Sequence, residues 1–137
     1  MKKLRAKYEE MLKQMQDDVG SNVAEANDVL AEKRQVHTEC VNHITQLRTT
    51  ATSANRKFMD VGRALIKMYF QKATPEEVEQ VIEPCNTYVQ AAGAIPMAQE
   101  SLNNAKAELD QAQAALIRET SLLSEVTRLQ EYLEREK

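Results

Sequence analysis

The run Ile44, Leu47, Ala51, Ala54, Phe58, Val61, Leu65, Met68 places an apolar or small residue at alternating steps of three and four without an error. That spacing averages 3.5 residues, so successive members stay on one narrow helix face and form the seam of a coiled coil. A strand would instead alternate at every second residue. Upstream, Tyr8, Leu12, Met15 and Val19 step in the same way. The two stretches do not share one register. This predicts a stutter between Val19 and Ile44 inside one helix, or else a break at Gly20 with Ser21 capping a fresh helix. The simpler reading is one helix over 2–71, kinked at Gly20, on the order of 100 Å long at the helical rise per residue.

The end of this arm is written in Lys72-Ala73-Thr74-Pro75-Glu76-Glu77. Thr74 suits an N-cap, Pro75 suits the first helical position, and Glu77 completes a capping box. A short helix is expected from Pro75 to about 83, where Pro84 removes a backbone donor. Helix then resumes over 85–92, Gly93 serves as a C-cap, and Pro96 opens a last helix over about 97–136. In that last helix Leu102, Ala105, Leu109, Ala112 and Leu116 keep the seam spacing. Val126, Leu129 and Leu133 continue it after a small register slip.

A turn near residue 73 folds the arms antiparallel, so facing residues should carry numbers that sum to about 146. On that rule Leu65 meets Ile82, Phe58 meets Tyr88 and Val89, Ile44 meets Leu102, Leu30 meets Leu116, Val19 meets Val126, and Leu12 meets Leu133. The expected fold is all-α. It is a long antiparallel coiled-coil hairpin forming a single elongated domain over 1–137, with a first arm (1–71), a turn with short helices (72–96) and a second arm (97–137), the return path being kinked by breaks near Pro84 and Gly93-Pro96. Composition agrees: no Trp, three Gly and three Pro leave little for a round core, while 28% charged residues suit solvated helix faces.

Catalysis needs groups converging on a pocket, and paired helices offer little of that. His37 and His43 are six residues apart and face different ways, where a helical metal site would use a spacing of four. The three glycines are isolated, so no phosphate-cradling loop is present. The doublets Glu9-Glu10, Asp17-Asp18 and Glu76-Glu77 diverge around the helix. Cys40 and Cys85 lack metal-ligand spacing and read as buried free thiols. These observations predict no enzyme, no cofactor, no metal and no small-molecule substrate. With no run of 18 apolar residues there is no transmembrane segment, and a cytoplasmic protein is expected.

Two surfaces are candidates for partners. Near the turn, Arg56, Arg63 and Lys67 share a face by their spacing of seven and four. With Lys72 and the apolar anchors Met68, Tyr69 and Phe70 they make a candidate binding tip. Alternatively this basic run complements the acids Glu76, Glu77, Glu79 and Glu83 across the turn. Beside the seam, Val29, Val36 and Val41 on the first arm and Ala107, Ala114, Ile117 and Leu122 on the second widen the apolar stripe. Val29, Val36, Ala114, Ile117 and Leu122 form the candidate helix-packing face, unless they merely absorb the register slips. The leading functional reading is a coiled-coil structural or adaptor subunit joining protein partners as a homodimer or hetero-complex. The alternative is a stalk- or chaperone-like protein whose tip holds a protein or filament. A third, less favoured alternative is a binder of nucleic acid or anionic lipid through the basic stripe, while a net charge of −3, from 18 bases and 21 acids, argues against broad binding of nucleic acid.

Overall fold

A computed structural model describes residues 2–68 and 73–136. It contains two helices, α1 (Lys2–Lys67) and α2 (Pro75–Arg135), and no strand among the described residues. The chain is a helical hairpin. Its paired helices divide into two compact units, one built from 1–37 with 105–137 and the other from 38–104.

Each unit pairs its helices antiparallel, close to the expected register. In the first, Gln130 Nε2 donates to Gln16 Oε1 at 3.1 Å, numbers that sum to 146. Arg5 donates to the Leu133 carbonyl at 2.8 Å, and Lys33 reaches Glu108 at 3.2 Å, both slanting along the helices as long side chains can. In the second unit, Arg48 Nη2 donates to Gln99 Oε1 at 3.3 Å, numbers that sum to 147.

The α1 seam does not stutter. Its least exposed residues run Leu12, Gln16, Val19, Val23, Ala26, Leu30, Lys33, His37 in the first unit, and Cys40, Ile44, Leu47, Ala51, Ala54, Phe58, Val61, Leu65 in the second. Steps of four and three alternate throughout. The expected slip arose because Gln16, Lys33 and His37 hold seam positions, so Tyr8 and Met15 look like members when only apolar residues are counted. Both are instead exposed on the flank. Gly20 does not interrupt the helix, and an added Cβ there would meet nothing within 4 Å.

The α2 seam is likewise unslipped, because Glu119 and Gln130 occupy seam positions and Leu129 falls outside. Val81, not Ile82, is the seam residue level with Leu65, and Ile82 is exposed. Pro84 and Pro96 lie inside α2 and do not end it, and Gly93 is mid-helix rather than a cap. Each proline removes one backbone donor, while packing of Ala91 and Ala98 against α1 holds the turns on either side. The Thr87 hydroxyl adds a bond to the Glu83 carbonyl at 3.0 Å.

The start of α2 follows its sequence signal. Thr74 Oγ1 accepts from the Glu77 backbone N–H at 3.3 Å and lies 3.3 Å from Glu77 Oε1, so Thr74 caps the helix that Pro75 opens.

The core is thin. Among the described residues eleven apolar side chains besides Pro84 are buried, and six of them are alanine: Ala51, Ala54, Ala91, Ala98, Ala105 and Ala112. The last four recur every seven residues and form one column of the α2 seam. The other column is bulky, with Ile95, Leu102, Leu109, Leu116 and Leu123. Small residues on one side of a helix contact permit an interaxial distance at the short end of the 8–10 Å range.

Candidate functional site

The first unit differs from the second in what stands beside the seam. On α1 the residue just before each member of the seam's second column is Tyr8, Met15, Asn22, Val29 and Val36. On α2 the equivalent flank is Glu108, Ala115, Leu122 and Leu129. Seven of these nine are apolar, each is exposed or half-exposed, and Glu108 stands at the end of the α2 stripe. Leu4, Met11 and Tyr132 widen the stripe by one turn, being 71%, 56% and 63% exposed. The opposite flank is polar or small: Lys13, Gly20, Asn27 and Arg34 on α1, with Gln113, Thr120, Thr127 and Glu134 on α2.

These flanks lie on opposite sides of the helix pair. Lys13 and Glu134 line one groove together with Leu12, Gln16, Gln130 and Leu133, which puts the polar flanks of both helices on the same side. The apolar flanks therefore share the other side and make one continuous face within the first unit. In antiparallel pairs this geometry is general, because like flanks meet like flanks across the seam.

In the second unit the corresponding flank is hydrophilic or small: His43, Thr50, Lys57 and Ala64 on α1, with Gln80, Thr87, Ala94 and Ser101 on α2. Thr50, Lys57, Gln80 and Thr87 line an open groove of about 560 Å³ there, with Ala54, Val61 and Pro84 at its floor. Stripe width thus separates the units. A seam alone is the pattern of a two-stranded coiled coil, while a seam plus one apolar flank is the pattern of a helix facing a bundle core.

Of the sequence-derived packing residues, Val29, Val36 and Leu122 lie on the apolar face. Ala114 and Ile117 point to the outer side of α2, two positions before and one after the seam residue Leu116, and Val41 lies in the second unit on the opposite flank. Tyr8, Met15 and Leu129 belong to the face although the sequence pattern assigns them to the seam. Extending the error-free central register through polar residues locates them.

Of the tip residues, Tyr69, Phe70 and Lys72 lie outside the described residues. Arg56, Arg63 and Lys67 are exposed on α1, and Met68 is 40% exposed. Among the described residues no ion pair joins Arg56, Lys57, Arg63 or Lys67 to Glu76, Glu77, Glu79 or Glu83. Ile66, Ile82 and Val89 are further exposed apolar residues in this unit.

Cys40 and Cys85 are free and half-buried. Among the described residues no group of three His, Cys, Asp or Glu side chains is placed to hold a metal ion, and no helix is long and apolar enough to cross a membrane. No family model matches the chain, and neither a curated protein nor a solved structure matches it.

Proposed function

We propose that the chain is a non-enzymatic assembly subunit whose first unit docks against helices of a partner, while its second unit is a self-sufficient two-stranded coiled coil. The observation that carries this reading is the change in stripe width. Residues 1–37 and 105–137 present a seam plus an apolar flank, which is the surface a bundle helix buries. Large apolar side chains contiguous along two helices mark interaction sites rather than ordinary surface. The seam of the same unit carries Gln16, Lys33, His37, Glu119 and Gln130. These weaken the helix pair on its own and specify its register, as single polar seam residues do in coiled coils. Free thiols fit a reducing, cytoplasmic setting.

A second reading has a specific observation behind it. Exposed Ile66, Met68 and Ile82 near the turn, beside Arg63 and Lys67, fit a tip that holds a protein or filament.

Quantitative affinity purification separates the two readings. Wild type is compared with Leu122→Glu/Leu129→Glu and with Arg63→Glu/Lys67→Glu, all checked for unchanged helix content. Loss of the same partners only in the leucine variant supports docking through the first unit. Loss only in the basic variant supports the tip, and unchanged partners in both contradict both.

A further inference from the structure

The docking face of the first unit has one acidic edge. On α1 the residues one turn beyond the flank are Asp18, Glu25 and Glu32, spaced seven apart and all exposed, so they form a straight line parallel to the apolar stripe. Between 14 and 32 the chain holds five acids (Asp17, Asp18, Glu25, Asp28, Glu32) and no base. Gln14 Nε2 donates to Asp18 at 3.1 Å, a bond to a neutral amide that leaves the charge in place. On α2 the matching edge carries Arg118 and Glu125.

We propose that the occupant of this face is a helix of another protein, amphipathic, with Lys or Arg repeating every seven residues along one edge of its apolar stripe. This rests on the reading of the face as a docking surface and names what fits it. The apolar stripe supplies adhesion. The acid line supplies choice, because charges flanking a helical seam set partner and orientation. A second copy of this chain is a poorer match. Packed α1 on α1, it would bring Asp18, Glu25 and Glu32 against their own counterparts, and the only base on the edge is Arg118. A basic-edged helix in the same place meets all three acids.

The test uses two synthetic amphipathic helices of about four heptads with identical apolar stripes, one edged with Lys and the other with Glu. Each is titrated into the full chain and followed by fluorescence anisotropy at low and high salt, with sedimentation equilibrium of the chain alone. The Lys-edged helix should bind at least tenfold more tightly. That margin should shrink at about 0.5 M salt as surface charge is screened. Asp18→Lys/Glu25→Lys/Glu32→Lys should reverse the order of the two peptides.

Equal affinity for both peptides, lost in Met15→Glu/Leu122→Glu, would overturn the charge assignment while leaving the docking face intact. Binding of neither peptide would overturn both. A dimer of the wild-type chain that Met15→Glu/Leu122→Glu dissociates would make a second copy the occupant and overturn the proposal.

Discussion

The alanine column of α2 gives a prediction whose sign discriminates between two kinds of seam. Ala98 is 7% exposed, and the register sets it level with Leu47, which is half-buried. In a seam with room to spare, Ala98→Leu would add three buried carbons at about 0.8 kcal/mol each, a gain of about 2.4 kcal/mol. A column of small residues permits the helices to approach closely here. The extra carbons must force the local separation wider, and overpacking of this kind costs about 1–3 kcal/mol. The layer formed by Ile44 and Leu102 loses contact at the same time. The expected net effect is destabilisation by about 1–3 kcal/mol, or a fall in Tm of about 3–10 °C for a chain of this size. Urea unfolding followed by circular dichroism reads it directly, with the denaturant slope unchanged. Ala54→Leu is the internal control. Ala54 lines the groove of about 560 Å³, so its leucine has somewhere to go and stability should stay within about 1 kcal/mol of wild type. A rise in stability of about 2 kcal/mol for Ala98→Leu would refute the close-packed column.

Other perturbations follow from the same structure. Gly20, Gly62 and Gly93 are all helical and an added Cβ meets nothing within 4 Å at any of them, so Gly→Ala should stabilise by about 0.5–1 kcal/mol at each site, read as Tm. Thr74→Ala removes the cap of α2 and should cost about 1 kcal/mol in urea unfolding, with Thr74→Ser close to wild type. Glu119 Oε2 is buried without a hydrogen-bond partner, so Glu119→Leu should stabilise the chain by about 1–3 kcal/mol in the same assay.

Much of this fold was legible in the sequence because the central run from Ile44 to Leu65 leaves one helical register open, and the antiparallel pairing follows from the capping signal at Thr74-Pro75. The errors share a physical origin. Reading the seam as apolar by definition skipped Gln16, Lys33, His37, Glu119 and Gln130. The register then seemed to jump, which drew Tyr8, Met15 and Leu129 inward. Several of those polar residues find partners at the seam, where Gln16 and Gln130 pair with each other and Lys33 reaches Glu108. Pro84, Gly93 and Pro96 were over-read for the opposite reason. Local propensity favours a break at each, but continuous packing against α1 outweighs it. The apolar face of the first unit was half legible, since Val29, Val36 and Leu122 stood out as surplus to the seam. The rest emerged once the register was corrected.

The apolar flank of the first unit is no part of the hairpin's own core. Thermal unfolding of the purified chain with Met15→Glu/Leu129→Glu, beside Leu12→Glu/Val126→Glu, measures this. Leu12 and Val126 are 2% and 3% exposed, whereas Met15 and Leu129 are 47% and 46% exposed. Charges at 15 and 129 should leave the isolated chain within about 1 kcal/mol of wild type, the range of ordinary surface substitutions. Charges at 12 and 126 should cost several kcal/mol, as unpaired buried charge does. Equal losses from the two pairs would place Met15 and Leu129 inside the hairpin core.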